Sequence, residues 1–506
     1  MSGRHANVCF ITVDQWRGDC LGVAGHPVVR TPALDRLAAE GVCFRRHYAQ
    51  ATPCGPSRAS LLTGQYLHKH RSGLNGTPLD SRFTNLALVA RAAGYDPVLF
   101  GYTDQSPDPR VLDVDDPRLR TYEGVLPGFR AVVDLPEHLE PWGAWLRELG
   151  YEVPDDVRRM YDPMTDAPGA PVRYAPEHSE AAYLVGEVLA HVDRCGDEPW
   201  FAHVAFIRPH PPFVAPEPYA SMFDPADVGL PIRHPSPEVE GAAHPLLAAA
   251  VSVPGVPGPH DEEGIRQLRA TYYGMMAEVD AQLGRLFDGL RERRQWDDTL
   301  VVVTSDHGEQ LGDHWLTDKL GWFDESYHIP LIVRDPSPEA DAGRGSLVEH
   351  RFTENVDVMP TILEWIGAAV PVQCDGRSLL PFLRGEDPFP WRSAAYWEWD
   401  FRDPIGQWAE RTLGITSDQC AISVLRDERG KYVHFAALPP LFYDLELDPN
   451  EMVDRATDPA YAVTVLGYAQ RLLSLRMEHV DQTLTWTVVT PEGVLDGRDP
   501  PPFARR

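Results

Sequence analysis

Long apolar runs are missing from this 506-residue chain. No continuous apolar stretch reaches the roughly 20 residues that a membrane-spanning helix needs. The first apolar run, over 8–13, is too short for the core of a signal peptide. A cytoplasmic protein is expected. Basic residues are also scarce: Lys and Arg number 46 against 75 Asp and Glu, a formal net charge of -29. Nucleic acid and anionic membranes are therefore not expected as partners, because both need clustered cations. A small anionic substrate remains open, since local charge can oppose the net charge. Cysteine is sparse too. The seven (Cys9, Cys20, Cys43, Cys54, Cys195, Cys374 and Cys420) are scattered, and no Cys-x-x-Cys pair occurs. Neither a disulfide framework nor a structural zinc site is expected. Internal repeats and low-complexity tracts are lacking.

A chain this long exceeds the usual limit for one core, which predicts a large domain over 1–388 and a smaller one over 389–506. The run at 7–13 reads as a buried strand with Asp14 at its C-terminal end. Thr31-Pro32 ahead of 33–40 reads as a Thr-capped helix with proline at its first position and Gly41 as its stop. Further helices are predicted from 59, at 85–93, 180–192 and 265–294, and strands at 97–100, 200–206 and 300–304. This alternation predicts an α/β fold, a large and mostly parallel sheet sandwiched by helices. Strands at 394–398, 420–425 and 431–435 and a helix at 460–476 predict a small antiparallel sheet and terminal helix in the second domain. Residues 110–173 read as an irregular insertion and 209–259 as Pro-rich loop. Ligands of such sheets bind beyond the C-terminal strand ends. Asp14, Tyr102, His210 and Asp306 all fall there.

Asp14-Gln15 offers hard oxygen ligands after the first strand, and Asp306-His307-Gly308 follows the strand at 300–304, with Gly308 expected to allow a tight turn. Asp14, Gln15, Asp306 and His307 together make a candidate divalent-cation site. Oxygen donors with one imidazole favour Mn2+ or Ca2+, with Mg2+ also admitted, over structural zinc. A further segment, Cys54-Gly55-Pro56-Ser57-Arg58-Ala59-Ser60-Leu61-Leu62-Thr63-Gly64, places a cysteine just ahead of an apolar helix start. Cys54 reads three ways: a small buried apolar residue, a thiolate activated by the helix N-terminus and Arg58, or the precursor of a modified nucleophile.

That segment resembles the signature of type I sulfatases, in which such a cysteine is oxidised to formylglycine. The resemblance runs to about Asn450 and is strongest to the phosphonate monoester hydrolases of the alkaline phosphatase superfamily. It rests also on Asp14-Gln15, Asn75-Gly76-Thr77-Pro78-Leu79-Asp80, the segment from Gly94 to Asp104, His210, Asp306-His307 and Lys319. It implies that Asp14, Gln15, Asp306, His307 and residue 54 hold the metal. It implies a formylglycine nucleophile at position 54, installed by a separate formylglycine-generating enzyme, with Arg58 holding its hydrated form and helping to bind the metal-side oxygens. Asn75, Tyr102, His210 and Lys319 are implied substrate contacts. His210 is assigned as general acid or as a clamp on the leaving-group oxygen, and Lys319 to a substrate oxygen or the leaving group. A homotetramer is also implied.

Many arylsulfatases carry Gly-Lys-Trp-His where this chain has Gly101-Tyr102-Thr103-Asp104. The pocket thereby loses up to two positive charges. That suits a monoanionic phosphonate monoester or phosphodiester better than a dianionic phosphate monoester. A sulfate monoester is also a monoanion. Asp104 reads as a base that collapses the hemiacetal, or as a helix cap. The resemblance implies a metal-dependent hydrolase of phosphonate monoesters and phosphodiesters, with arylsulfatase activity alongside. The alternative is a dedicated sulfatase for a small sulfate ester, similar to arylsulfatases or to choline-sulfatases. Choline would need an aromatic cage.

Overall fold

The computed structural model describes residues 6–491 and 493–496. Seven consecutive buried residues form the strand Asn7–Val13. It is paired in parallel on both sides, with Phe201–Phe206 and with Thr299–Thr304. The full sheet has eight strands, in the order Ser346–Val348, Val42–Phe44, Leu331–Arg334, Thr299–Thr304, Asn7–Val13, Phe201–Phe206, Pro97–Gly101 and Arg130–Asp134. Leu331–Arg334 runs antiparallel to both of its neighbours, and the other pairs are parallel.

A strand covered on both faces shows no apolar-polar alternation, and its residues divide between two cores. Cys9, Ile11 and Val13 pack with Leu34, Leu184, Leu283 and Leu286 from helices Pro32–Glu40, Glu180–Cys195 and Glu262–Glu292. Val8 and Phe10 pack with Leu61, Leu86, Met359 and Ile362 from helices Cys54–Thr63, Leu86–Ala92 and Val358–Trp365. Each such side chain contributes about 1.5–3 kcal/mol on burial. Among the described residues, no helix is long and apolar enough to cross a membrane.

Several local expectations are corrected. Thr31 does not cap its helix; its hydroxyl bonds Asp35, and the orphan N–H groups of Ala33 and Leu34 donate to Asp280 of the long helix. The helix expected from 59 begins five residues earlier, at Cys54, because Pro56 fits a first turn whose N–H groups lack intrahelical partners. Residues 110–173 are not wholly irregular. They supply the edge strand Arg130–Asp134 and helix Glu140–Glu148, whose Trp142 and Leu146 enter the core. The strand is largely exposed, so its apolar signal is weak. In the Pro-rich stretch, Pro237 and Pro245 each open a short helix, Pro237–Gly241 and Pro245–Val251.

The second sheet has the order Leu441–Asp444, Gly430–Phe435, Ala421–Arg426, Ala395–Asp400 and Ala51–Thr52. Its first four strands are antiparallel, and helix Ala462–Glu478 covers one face through Tyr468 and Leu472. The fifth strand comes from the other end of the chain. Ala51 and Thr52 pair in parallel with Glu398 and Trp399, then lead through Pro53 into the helix that carries Cys54.

Candidate functional site

Helix Cys54–Thr63 is buried along its whole length and ends at Gly64, whose positive φ of 68° closes the last turn. Cys54 is its first residue. One turn later, on the same face, is Arg58. Asp14 follows the central strand and Asp306 follows its neighbour Thr299–Thr304, so adjacent strands deliver the two carboxylates to one edge. Candidate ligand atoms of Asp14, Cys54, Asp306 and His307 all lie within 4.8 Å of one another. Cys54 Sγ is 3.2 Å from His307 Nε2. Gly308 has no left-handed backbone. It is required because a Cβ there would lie 2.0 Å from the Glu325 carbonyl oxygen.

Arg58 organises this centre without touching solvent. Its Nε donates to Asp306 at 2.9 Å and one terminal nitrogen donates to Asp14 at 3.0 Å. The remaining donors meet the Tyr102 carbonyl at 3.1 Å and the Tyr102 hydroxyl at 2.9 Å. The guanidinium thus bonds both metal-side carboxylates and Tyr102. Tyr102 likewise turns inward, its hydroxyl donating to Asp14, and it is 2% exposed. In this arrangement it positions Asp14.

Two buried carboxylates share one guanidinium, and Asp14 Oδ1 has no hydrogen-bond partner. Leaving a buried acceptor unsatisfied costs about 1–3 kcal/mol, more for a charged group. A divalent cation would satisfy Oδ1 and the surplus negative charge together, and the O, O, N donor set suits a hard or borderline metal. Burial and the like charge of Asp306 push the Asp14 carboxyl up. Burial acts on Asp306 as well, but His307 and Arg58 outweigh it and hold that carboxyl below its usual range. Burial, then Asp14, pushes the Cys54 thiol well up. The activated-thiolate reading finds no support in this geometry.

Gln15 is committed at both ends of its amide. Its nitrogen donates to Glu309, and its oxygen accepts from Lys319 Nζ at 3.1 Å. One lone pair of that oxygen is left for a cation. Lys319 Nζ also lies 3.3 Å from His210 Nε2. The other His210 nitrogen, Nδ1, is 2.9 Å from the Pro211 carbonyl. A carbonyl only accepts, so Nδ1 carries the proton and Nε2 is an acceptor for Lys319. Burial and the Lys319 charge push His210 down to about 4. A neutral imidazole with Nε2 accepting from Lys319 orients that ammonium in this arrangement.

Asn75 accepts from the Gly55 N–H at 2.8 Å, at the N-terminus of the Cys54 helix. Asp104 caps no helix. It takes a positive φ of 51°, sits 3.8 Å from Arg58 Nε, and burial, against the pull of Arg58, raises it to about 8. Glu309 was not anticipated. Buried, it bonds Gln15 and accepts from the backbone of Leu311 and Asp318, tying the Lys319 loop to the metal side. The signal available was the polar run from Asp306 to Gln310 directly after a buried strand.

The family model described as "Sulfatase" matches residues 6–368. The chain belongs to the sulfatase family. A model for the C-terminal part of N-sulphoglucosamine sulphohydrolase matches 312–478 of this sulfatase. The chain is 44% identical, over 96% of its length and 98% of the relative's, to a multifunctional alkaline phosphatase superfamily protein, PehA, of Trinickia caryophylli. Two solved structures share its fold throughout. The phosphonate monoester hydrolase of Agrobacterium radiobacter has a TM-score of 0.93 and 48% identity, over 97% of this chain and 99% of that one. The phosphonate monoester hydrolase of Silicibacter pomeroyi has a TM-score of 0.92 and 42% identity over the same shares.

Proposed function

We propose that the chain hydrolyses phosphonate monoesters and phosphodiesters, with aryl sulfates turned over at the same centre. The observation that carries this reading is the inward turn of Tyr102 and the placement of Asp104 beside Arg58. Where many arylsulfatases present Lys and His, this pocket presents no added cation, which favours a singly charged ester. The identities of 42–48% to phosphonate monoester hydrolases and to PehA support it.

The nucleophile is assigned to formylglycine at position 54, made from Cys54 by a formylglycine-generating enzyme. Asp14, Asp306, His307 and residue 54, with the remaining lone pair of Gln15, would hold one Mn2+, Ca2+ or Mg2+. When bound, that cation supplies Lewis-acid charge that activates the oxygen nucleophile. The chain's own residues do the rest. Arg58 fixes both carboxylates and offsets one of their charges. Lys319 donates to an ester oxygen, and His210 and Gln15 hold its ammonium in place. Asn75 presents its amide beside the helix N-terminus.

We also assign the protein to the cytoplasm, in keeping with seven cysteines that form no disulfide. A homo-oligomer, taken as a tetramer, fits the exposed apolar side chains Val463, Leu466, Leu473 and Met477 of helix Ala462–Glu478 and Val488 and Val489 beyond it. A dedicated sulfatase for a small sulfate ester is the second reading, favoured by the family itself. Paired kcat/KM measurements on an aryl phosphonate monoester and an aryl sulfate separate the two. A higher value on the phosphonate is expected, and a large preference for sulfate overturns the first reading.

A further inference from the structure

A cleft of about 450 Å³ adjoins the reaction centre through Pro53 and Lys319. Small-molecule pockets span about 300–1,000 Å³. At its inner end are Pro53, which precedes the nucleophile position, and Lys319. Its lining includes Leu246 and Val253 and the aromatic residues Trp399, Phe401 and Trp408. The aromatic residues come from the second sheet and the segment after it. That sheet is joined to the nucleophile helix through Ala51–Thr52, so the aromatic wall is held in fixed relation to the centre.

Five ionisable groups line the cleft, and each is already matched. Asp318 Oδ1 pairs with Lys319 Nζ at 3.1 Å. Asp400 accepts from Arg402 Nε at 2.8 Å. Asp403 accepts from the backbone N–H groups of Gly406 at 2.7 Å and Trp408 at 3.1 Å. None of the three acids is left to balance a bound cation. Cation–π attraction alone would have to desolvate a quaternary ammonium, whereas an uncharged aromatic group enters with apolar burial.

We propose that this cleft is the subsite for the alcohol part of the ester, and that it selects flat, uncharged, apolar groups. The proposal rests on the hydrolase reading for the location of the reacting bond, and on the cleft's own lining for the class of group. The cleft lies on the Lys319 side of the centre, where the ester oxygen was placed. The predicted preference is for aryl over small alkyl esters.

The test compares 4-nitrophenyl and 2,2,2-trifluoroethyl esters of phenylphosphonic acid in the metal-loaded protein. Each ester is compared with itself across variants, so intrinsic reactivity cancels. Ala250→Trp fills the cleft from the Leu246 side. It should lower kcat/KM for the aryl ester by about 10- to 100-fold, mainly through KM, and leave the trifluoroethyl ester within about threefold. Equal losses on both esters, or no loss on the aryl ester, overturn the proposal. If Ala250→Trp does not fold, Trp408→Ala replaces it, with KM for the aryl ester alone expected to rise. Should the wild type act only on sulfates, the phosphonate reading falls. The same pair of alcohols as sulfate esters then decides the cleft. Calorimetric titration with 4-nitrophenol reads the cleft without turnover. Binding should weaken about tenfold in Ala250→Trp, and equal binding overturns the assignment.

Discussion

Lys319 Nζ and His210 Nε2 lie 3.3 Å apart, and the imidazole's other nitrogen is committed to the Pro211 carbonyl. The ammonium is therefore the donor of the pair and the imidazole its support. Lys319→Ala or His210→Ala should each lower kcat by about 10²–10⁴-fold. The pH profile carries the sharper signature. A His held at about 4 protonates only as pH falls well below neutrality, and the wild type should show no His210 inflection near 6.5. An inflection there that disappears in His210→Ala would contradict the neutral-acceptor assignment.

Arg58 bonds both metal-side carboxylates. Arg58→Ala should weaken Mn2+ binding by about 10- to 100-fold, as loss of a ligand-orienting partner does. Calorimetric metal titration measures this directly. Thermal unfolding should correspondingly shift less with added metal, because stabilisation by a ligand of the native state falls as its Kd rises. Unchanged affinity would remove Arg58 from the ligand-holding role.

Formylglycine at position 54 should appear as a tryptic peptide about 18 Da lighter than its cysteine form, or as the hydrate. Cys54→Ala should abolish turnover with the fold intact. Active protein that carries only unmodified Cys54 would overturn the nucleophile assignment.

Chelation should remove activity and lower Tm together, since a ligand bound only by the native state stabilises it. Re-addition of Mn2+ or Ca2+ should restore both. An enzyme indifferent to chelator has no metal at Asp14, Asp306 and His307.

Glu180 and Glu278 lie away from the reaction centre, behind Arg208, and are buried. Burial, against the pull of Arg208, raises them to about 8 and about 7. Carboxyls raised in the folded state hold protons that the unfolded chain releases from about pH 4.3 upward. Their stabilising contribution is complete below that pH and is lost as pH rises through 7–8. Glu278→Gln should therefore raise Tm relative to wild type more at pH 8.5 than at pH 6. The same shift at both pH values would show that Glu278 is ionised in the fold throughout.

The sheet was legible because its central strand is a continuous apolar run ending in Asp14, and the metal pairs were legible because they follow such runs. The edge strand Arg130–Asp134 was not, since exposed side chains leave no two-residue period. The start of the nucleophile helix was obscured by Pro56, which reads as a breaker but suits a first turn. Tyr102 and Arg58 show a different limit. Sequence placed them at the site, yet which way each side chain turns depends on Asp14 and Asp306, which arrive from strands far away in the chain. Glu309 could be seen as polar but not as buried, for the same reason.

The pairing of Ala51–Thr52 with Ala395–Asp400 sets a schedule for maturation. Cys54 is 4% exposed once the fold is complete. The strand that pairs with the segment leading into Cys54 is synthesised some 340 residues later, which at about 5–20 residues per second is roughly 17–70 s. We place the proposed oxidation of Cys54 in that interval. A nascent chain stopped before residue 395 should be a substrate for the oxidising enzyme, and refolded, unmodified full-length protein should not. Expression rate thereby becomes a control on how much of the protein acquires its nucleophile, with no change in the amount that folds.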